Sequence, residues 1–322
     1  MKQYNRNYAN EILSYLAPER IKSEHFTIPL LCCAVYILNA LFVLVFKTVK
    51  PDPINSYTLM AIAEIMAVAV PCIIYMRIKE KSYIKSAKGV APDKIAIILL
   101  CSATITFGAM AISTLSNHIG LIEDSSATFN TLQLPALENR LAPMLHALVT
   151  FAVVPAICEE LLCRCIIYSE YDKYGPVAAI AVSSVCFALM HFSIGKFPMY
   201  LFSGIMLGFL RMLTGSSVAS FFAHFFYNAF ALFYYKFFGT LSDQLSEFTI
   251  VFFILLFLCL LSLALTFGEA ARIFKGYAEK SMRAIKTEEK ESLRAKDGIL
   301  QYLLSPTLHL SFILYIIFSL VL

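Results

Sequence analysis

The 322-residue chain is 59% hydrophobic and only 15% charged, with a formal net charge of +4. Soluble domains carry about 25% charged residues, so this composition excludes an ordinary water-soluble globule. The basic excess lies in loops between apolar runs, where it reports topology and leaves no nucleic-acid footprint.

The opening MKQYNRNYANEILSYLAPER is polar, and the apolar run after it begins too late and is too long for a cleavable signal peptide. Runs long enough to span a bilayer follow at 27–49, 58–76, 94–115, 142–168, 176–194, 198–214, 217–238 and 246–268. A ninth, in 299–322, is interrupted by Pro306. The predicted fold class is all-α, a polytopic membrane bundle of eight to nine transmembrane helices. Three parts are expected. Residues 1–140 give an N-terminal arm and three spans, 141–240 hold the membrane-embedded polar clusters, and 241–322 place further spans around a charged segment at 269–298.

Lysine and arginine set the expected orientation. The loop 77–94 holds Arg77, Lys79, Lys81, Lys85, Lys88 and Lys94, and 269–298 is also rich in basic residues. The loop 116–141 has only Arg140, against Glu123, Asp124 and Glu138. With nine spans and a cytoplasmic N-terminus, both basic loops fall inside. In 269–298, Ile273, Phe274, Tyr277, Met282 and Ile285 recur at helical spacing. That segment either lies on the inner membrane surface near anionic lipid or joins two spans as a solvated helix. All nine cysteines sit in apolar segments, and an odd count there reads as buried thiols without a disulfide framework. Gly204 and Gly208 form a GxxxG pair suited to close helix approach.

The stretch CEELLCRC, residues 158–165, breaks the apolar pattern. Each charge near the bilayer centre costs roughly 2.5–3.5 kcal/mol on insertion scales, so Glu159, Glu160 and Arg164 together carry about 7–10 kcal/mol. On a helix, Glu160 and Arg164 lie about 40° apart and can pair, whereas Glu159 points about 140° away from Arg164. Glu159 is left needing another partner or a polar cavity. Pro155 makes a kink plausible just upstream. FALMH then places Phe187 and His191 on one face of the next span, and HFFYN places His224 and Asn228 on one face of the span after 217. From the ends of their spans, Glu159 and His191 lie roughly 20 Å deep and His224 roughly 10–15 Å, depths compatible with one shared site. His146 and His309 read as helix–helix hydrogen bonders, while His25 and His118, at the span ends, read as solvated.

EExxxR (Glu159, Glu160, Arg164), FxxxH (Phe187, His191) and HxxxN (His224, Asn228), in that order, resemble the motifs of the CAAX-protease and bacteriocin-processing (Abi) family. The best-known members are type II CAAX prenyl endopeptidases. The resemblance covers roughly 140–240 and implies an intramembrane endopeptidase of a bacterial plasma membrane, with the site among the fourth to seventh helices. It implies that Glu159 activates water, that His191 and His224 orient that water or bind a metal, and that Asn228 stabilises the oxyanion. Glu160, Arg164 and Phe187 would support the site. The expected partners are membrane lipid and a peptide or protein substrate, prenylated or like a bacteriocin or signal peptide, and no nucleic acid.

The residue chemistry agrees independently. A carboxylate shielded from water suits a general base, and an Asn amide suits an oxyanion. Two His and a Glu could also hold Zn with one position open, so metal-assisted and glutamate-only routes use the same residues. A proton-coupled transporter would also bury Glu, His and Arg, but no paired repeat halves are visible. A non-catalytic membrane scaffold of the same family is the other alternative.

Overall fold

The computed structural model describes residues 23–49, 53–121, 141–244, 248–283 and 295–321. An apolar run in lipid has no water to satisfy its backbone, so it closes its hydrogen bonds internally as helix. In chain order the first helices are α1 (Ser23–Val49), α2 (Pro53–Glu64), α3 (Val70–Ile78), α4 (Ile95–His118), α5 (Leu141–Leu148), α6 (Val154–Glu160) and α7 (Tyr168–Tyr171). They are followed by α8 (Pro176–Leu189), α9 (Phe197–Thr214), α10 (Ser217–Gln244), α11 (Phe248–Arg283), α12 (Ala295–Leu303) and α13 (Pro306–Val321). No strand occurs among the described residues. Six helical stretches are long and apolar enough to cross a membrane, and three shorter apolar helices accompany them. Leu44, Ile74, Phe253, Phe257 and Leu265 point outward, while Ile28, Tyr36, Ile97, Leu162 and Leu207 fill the interior. The protein is an all-α, polytopic integral membrane protein.

Prolines decide where two spans change their winding. Pro71 and Pro155 each occupy the second position of a helix, and each helix is preceded by a five-residue π-helical segment, Ile65–Ala69 or Val149–Val153. Val70 and Val154 bond back to the carbonyls of Ile65 and Val149, five residues earlier. A proline lacks the N–H for the carbonyl four residues before it and clashes with that carbonyl; one extra residue in the turn relieves the clash without breaking the helix. The kink expected at Pro155 is therefore a π widening. A third π segment, Leu161–Ile167, begins directly after Glu160.

Glycine sets the spacing of α8 and α9. A Cβ on Gly204 would meet the Cα of Ser184 at 3.0 Å, and Gly208 lies against Ile180, so the GxxxG pair packs nearly backbone to backbone. At the end of α9, Gly215 takes a left-handed conformation with φ 67° and turns the chain into α10. The Ser216 hydroxyl donates to the Lys88 carbonyl, and Ser217 Oγ lies 3.1 Å from Ser86 Oγ. That turn is thereby fixed on the basic loop after α3.

Some sequence expectations are corrected here. His25 is buried, not solvated: its Nδ1 and Nε2 lie 3.0 and 2.9 Å from the hydroxyls of Tyr171 and Tyr174. The Tyr174 hydroxyl donates to Glu24 at 2.8 Å, and Lys173 pairs with the same carboxylate at 2.5 Å. Tyrosine hydroxyls stand in for water where α1 docks beside α7. His309 bonds the Ser305 carbonyl of its own chain segment, at 2.8 Å, rather than a neighbouring helix. His146 does reach across, 3.2 Å from the Thr58 hydroxyl of α2. His118 is exposed but stacks on Phe248 at 3.6 Å.

The charged segment continues α11 without a break as far as Arg283. It is braced by hydrogen bonds from Arg272 to the Asp93 carbonyl (2.9 Å) and from Tyr277 to the Leu213 carbonyl (3.0 Å). Residues 284–294, like the acidic loop with Glu123, Asp124, Glu138 and Arg140, lie outside the described residues.

Candidate active site

Glu159 and Glu160 end α6, where the helix passes into its π segment. Glu160 Oε1 accepts from Arg164 Nη1 at 2.9 Å and from His224 Nδ1 at 3.0 Å. Arg164 is fully buried, donates through Nη2 to the Gly204 carbonyl at 3.0 Å, and lies 4.8 Å over the Phe187 ring. The close approach of α9 thus supplies the carbonyl that, with Glu160 and the aromatic face, compensates the burial of a guanidinium.

Glu159 faces the other way. Its Oε2 is buried without a hydrogen-bond partner, 3.8 Å from both His191 Nε2 and His224 Nε2. The opposite ring nitrogens are committed. His191 Nδ1 lies 2.8 Å from the Phe187 carbonyl, which can only accept, and His224 Nδ1 faces the Glu160 carboxylate. Each neutral imidazole therefore carries its proton on Nδ1 and turns an Nε2 lone pair toward Glu159. Three acceptors converge at a separation too long for direct hydrogen bonds. A donor seated among them, such as one water molecule, would satisfy the group.

Phe187 is the hub of the arrangement, with its ring 5.0 Å from His191 and 5.6 Å from His224. His191 lies in the turn after α8, next to Phe192, whose φ of 46° is uncommon for a bulky side chain. Its other face stacks on Tyr200 at 3.7 Å. Asn228 is half-buried one turn beyond His224 on α10.

A family model described as Rce1-like, type II CAAX prenyl endopeptidase, matches residues 141–230. Over this segment, about 90 of the 322 residues, the chain is similar to the CAAX-protease family. The matched segment contains Glu159, Glu160, Arg164, Phe187, His191, His224 and Asn228. No curated protein and no solved structure matches the chain.

Two residues near these groups were not singled out from the sequence. Tyr200 is one, since a tyrosine in an apolar run gives no signal before its ring is seen against His191. Glu64 is the other. Its Oε1 is buried without a hydrogen-bond partner at the end of α2, which packs on α6. The signal was available: a carboxylate inside an apolar run is as costly at 64 as at 159.

A zinc held by Glu159, His191 and His224, one of the two routes the sequence left open, can be tested against these positions. Bonds of about 2.1 Å put tetrahedral zinc donors about 3.4 Å apart. Both His–Glu159 separations are 3.8 Å, and no trio of His, Cys, Asp or Glu among the described residues is placed to hold a metal ion. As placed, the residues do not fit the ion.

Proposed function

We propose that the protein is an intramembrane endopeptidase of the CAAX prenyl protease type, hydrolysing a peptide bond of a membrane-associated, prenylated protein. The observation that carries this is the partnerless Glu159 carboxylate facing the Nε2 lone pairs of His191 and His224. In this reading Glu159 takes a proton from a water held among the three groups, and the water oxygen attacks the scissile carbonyl carbon. His191 orients the water from its fixed position between Phe187 and Tyr200. His224 is held by Glu160, which is itself held by Arg164, so its aim depends on that pair. Asn228 donates to the developing oxyanion. No step requires a metal.

The excess of lysine and arginine in the loops 77–94 and 269–298 supports a cytoplasmic N-terminus in a plasma membrane. The test is cleavage of a fluorescence-quenched, farnesylated CAAX peptide by the purified full-length protein. Wild type cleaves it, and Glu159→Gln loses about 100-fold or more of the rate, the scale of general-base loss. A fully active Glu159→Gln would end the proposal.

A further inference from the structure

The turn that carries His191 is strained. The residue after it, Phe192, holds φ at 46°, in the left-handed region that a bulky side chain rarely adopts. There an L-residue crowds its Cβ against the following carbonyl oxygen, so the conformation persists only where the surroundings enforce it. The local chain enforces it weakly. The Phe192 N–H reaches the Leu189 carbonyl at 3.5 Å, long for a hydrogen bond.

The stronger contacts come from two distant helices. The Phe192 ring meets the Tyr36 ring of α1 at 5.6 Å and 86°, and the Phe318 ring of α13 at 5.3 Å and 77°. Both are edge-to-face, a geometry that aromatic pairs favour. Tyr36 is fully buried, and its hydroxyl donates to the Cys186 carbonyl at 3.3 Å. The same carbonyl accepts the Met190 N–H where α8 ends. α1 and α13 are themselves joined, since Ser311 donates to the Pro29 carbonyl and Thr307 to the Phe26 carbonyl, each at 3.0 Å. Neither helix lies in the segment 141–230 that the family model matches.

We infer that Tyr36 and Phe318 are positioning residues of this site: they clamp the Phe192 ring, hold the left-handed turn and so aim His191 at Glu159. The use made of that aim rests on the hydrolytic reading above. Without the clamp, Phe192 relaxes toward negative φ, and the rotated peptide carries the neighbouring imidazole away from Glu159. Misplacing a reacting group by about 1 Å lowers the rate by a large factor. Glycine adopts positive φ as readily as negative, so Phe192→Gly removes the strain that the clamp opposes.

Variants of the full-length protein test this with the farnesylated peptide. Tyr36→Leu should lower kcat by ~10-fold or more with KM nearly unchanged. Phe318 is only half-buried, so Phe318→Leu, expected to act in the same direction, carries the test should Tyr36→Leu not fold. Tyr36→Phe keeps the ring and should stay within ~3-fold of wild type. Adding Phe192→Gly to Tyr36→Leu should recover kcat by at least ~3-fold, which a plain loss of packing would not allow. A folded Tyr36→Leu with wild-type kcat, or a loss that Phe192→Gly fails to lessen, would overturn the inference. A second measurement needs no activity. Nitrogen-15 spectra of histidine-labelled protein, with His191 assigned by difference from His191→Gln, should show the single Nδ1–H tautomer in wild type and a mixture in Tyr36→Leu. One and the same tautomer in both would refute the clamp. Spectra that differ as expected, with the peptide never cleaved, would uphold the clamp and sink the hydrolytic reading alone.

Discussion

His224 Nδ1 lies 3.0 Å from Glu160 Oε1, so the second glutamate of the pair touches both the site imidazole and Arg164. Adjacent carboxylates are thereby divided: Glu160 joins the buried framework, and Glu159 faces the Nε2 atoms of His191 and His224. Glu160→Gln should leave the buried guanidinium without its counter-charge. Breaking such a pair from one side costs roughly 3–5 kcal/mol, so thermal stability and yield should drop, with activity falling as a consequence. Glu159→Gln should express and unfold like wild type. Normal stability of Glu160→Gln, measured by thermal unfolding in detergent, would contradict this division.

Gly204 gives a second prediction. A methyl group there would press on the Ser184 backbone at 3.0 Å and move the carbonyl that Arg164 bonds. Gly204→Ala should destabilise by about 1–3 kcal/mol, the usual cost of overpacking. Gly268→Ala, where nothing lies within 4 Å, should be neutral or slightly stabilising and serves as the control. Equal unfolding temperatures for the two variants would refute the close-approach account.

Metal removal gives the third. With no step routed through a metal, protein dialysed against a chelator should retain full cleavage of the farnesylated peptide and hold well under ~1 zinc per chain. Loss of activity that returns on adding zinc would show that the site rearranges to bind the ion.

Orientation gives the fourth. The nine native cysteines among the described residues are all buried and free, so an added one can be read against a quiet background. Ser86 is tied to Ser217, which makes the exposed Lys85 the better probe. An impermeant maleimide added from outside should modify Ser126→Cys and leave Lys85→Cys unmodified. The reverse pattern would invert the topology.

The spans, the pairing of Glu160 with Arg164 and the convergence of Glu159, His191 and His224 could be read from periodicity and from charge in apolar surroundings. Other features could not. The faces assigned to Glu159 and Glu160 assume regular α-helix, yet π segments lie on both sides of them, and winding is decided by tertiary packing. His25 read as solvated because its partners, Tyr171 and Tyr174, lie far along the chain and belong to another helix. The fixed imidazole tautomers depend on carbonyl and carboxylate contacts that no motif spells out.

The π segments before Pro71 and Pro155 make the aim of the site a matter of counting residues. Each takes up one extra residue in a widened turn, ahead of α3 in one case and of α6 in the other. Removing one residue from Val149–Val153 would return that turn to ordinary α winding and press Pro155 back against the carbonyl four residues before it. The length of this stretch, more than its apolar letters, is what lets the span carry a proline just ahead of Glu159.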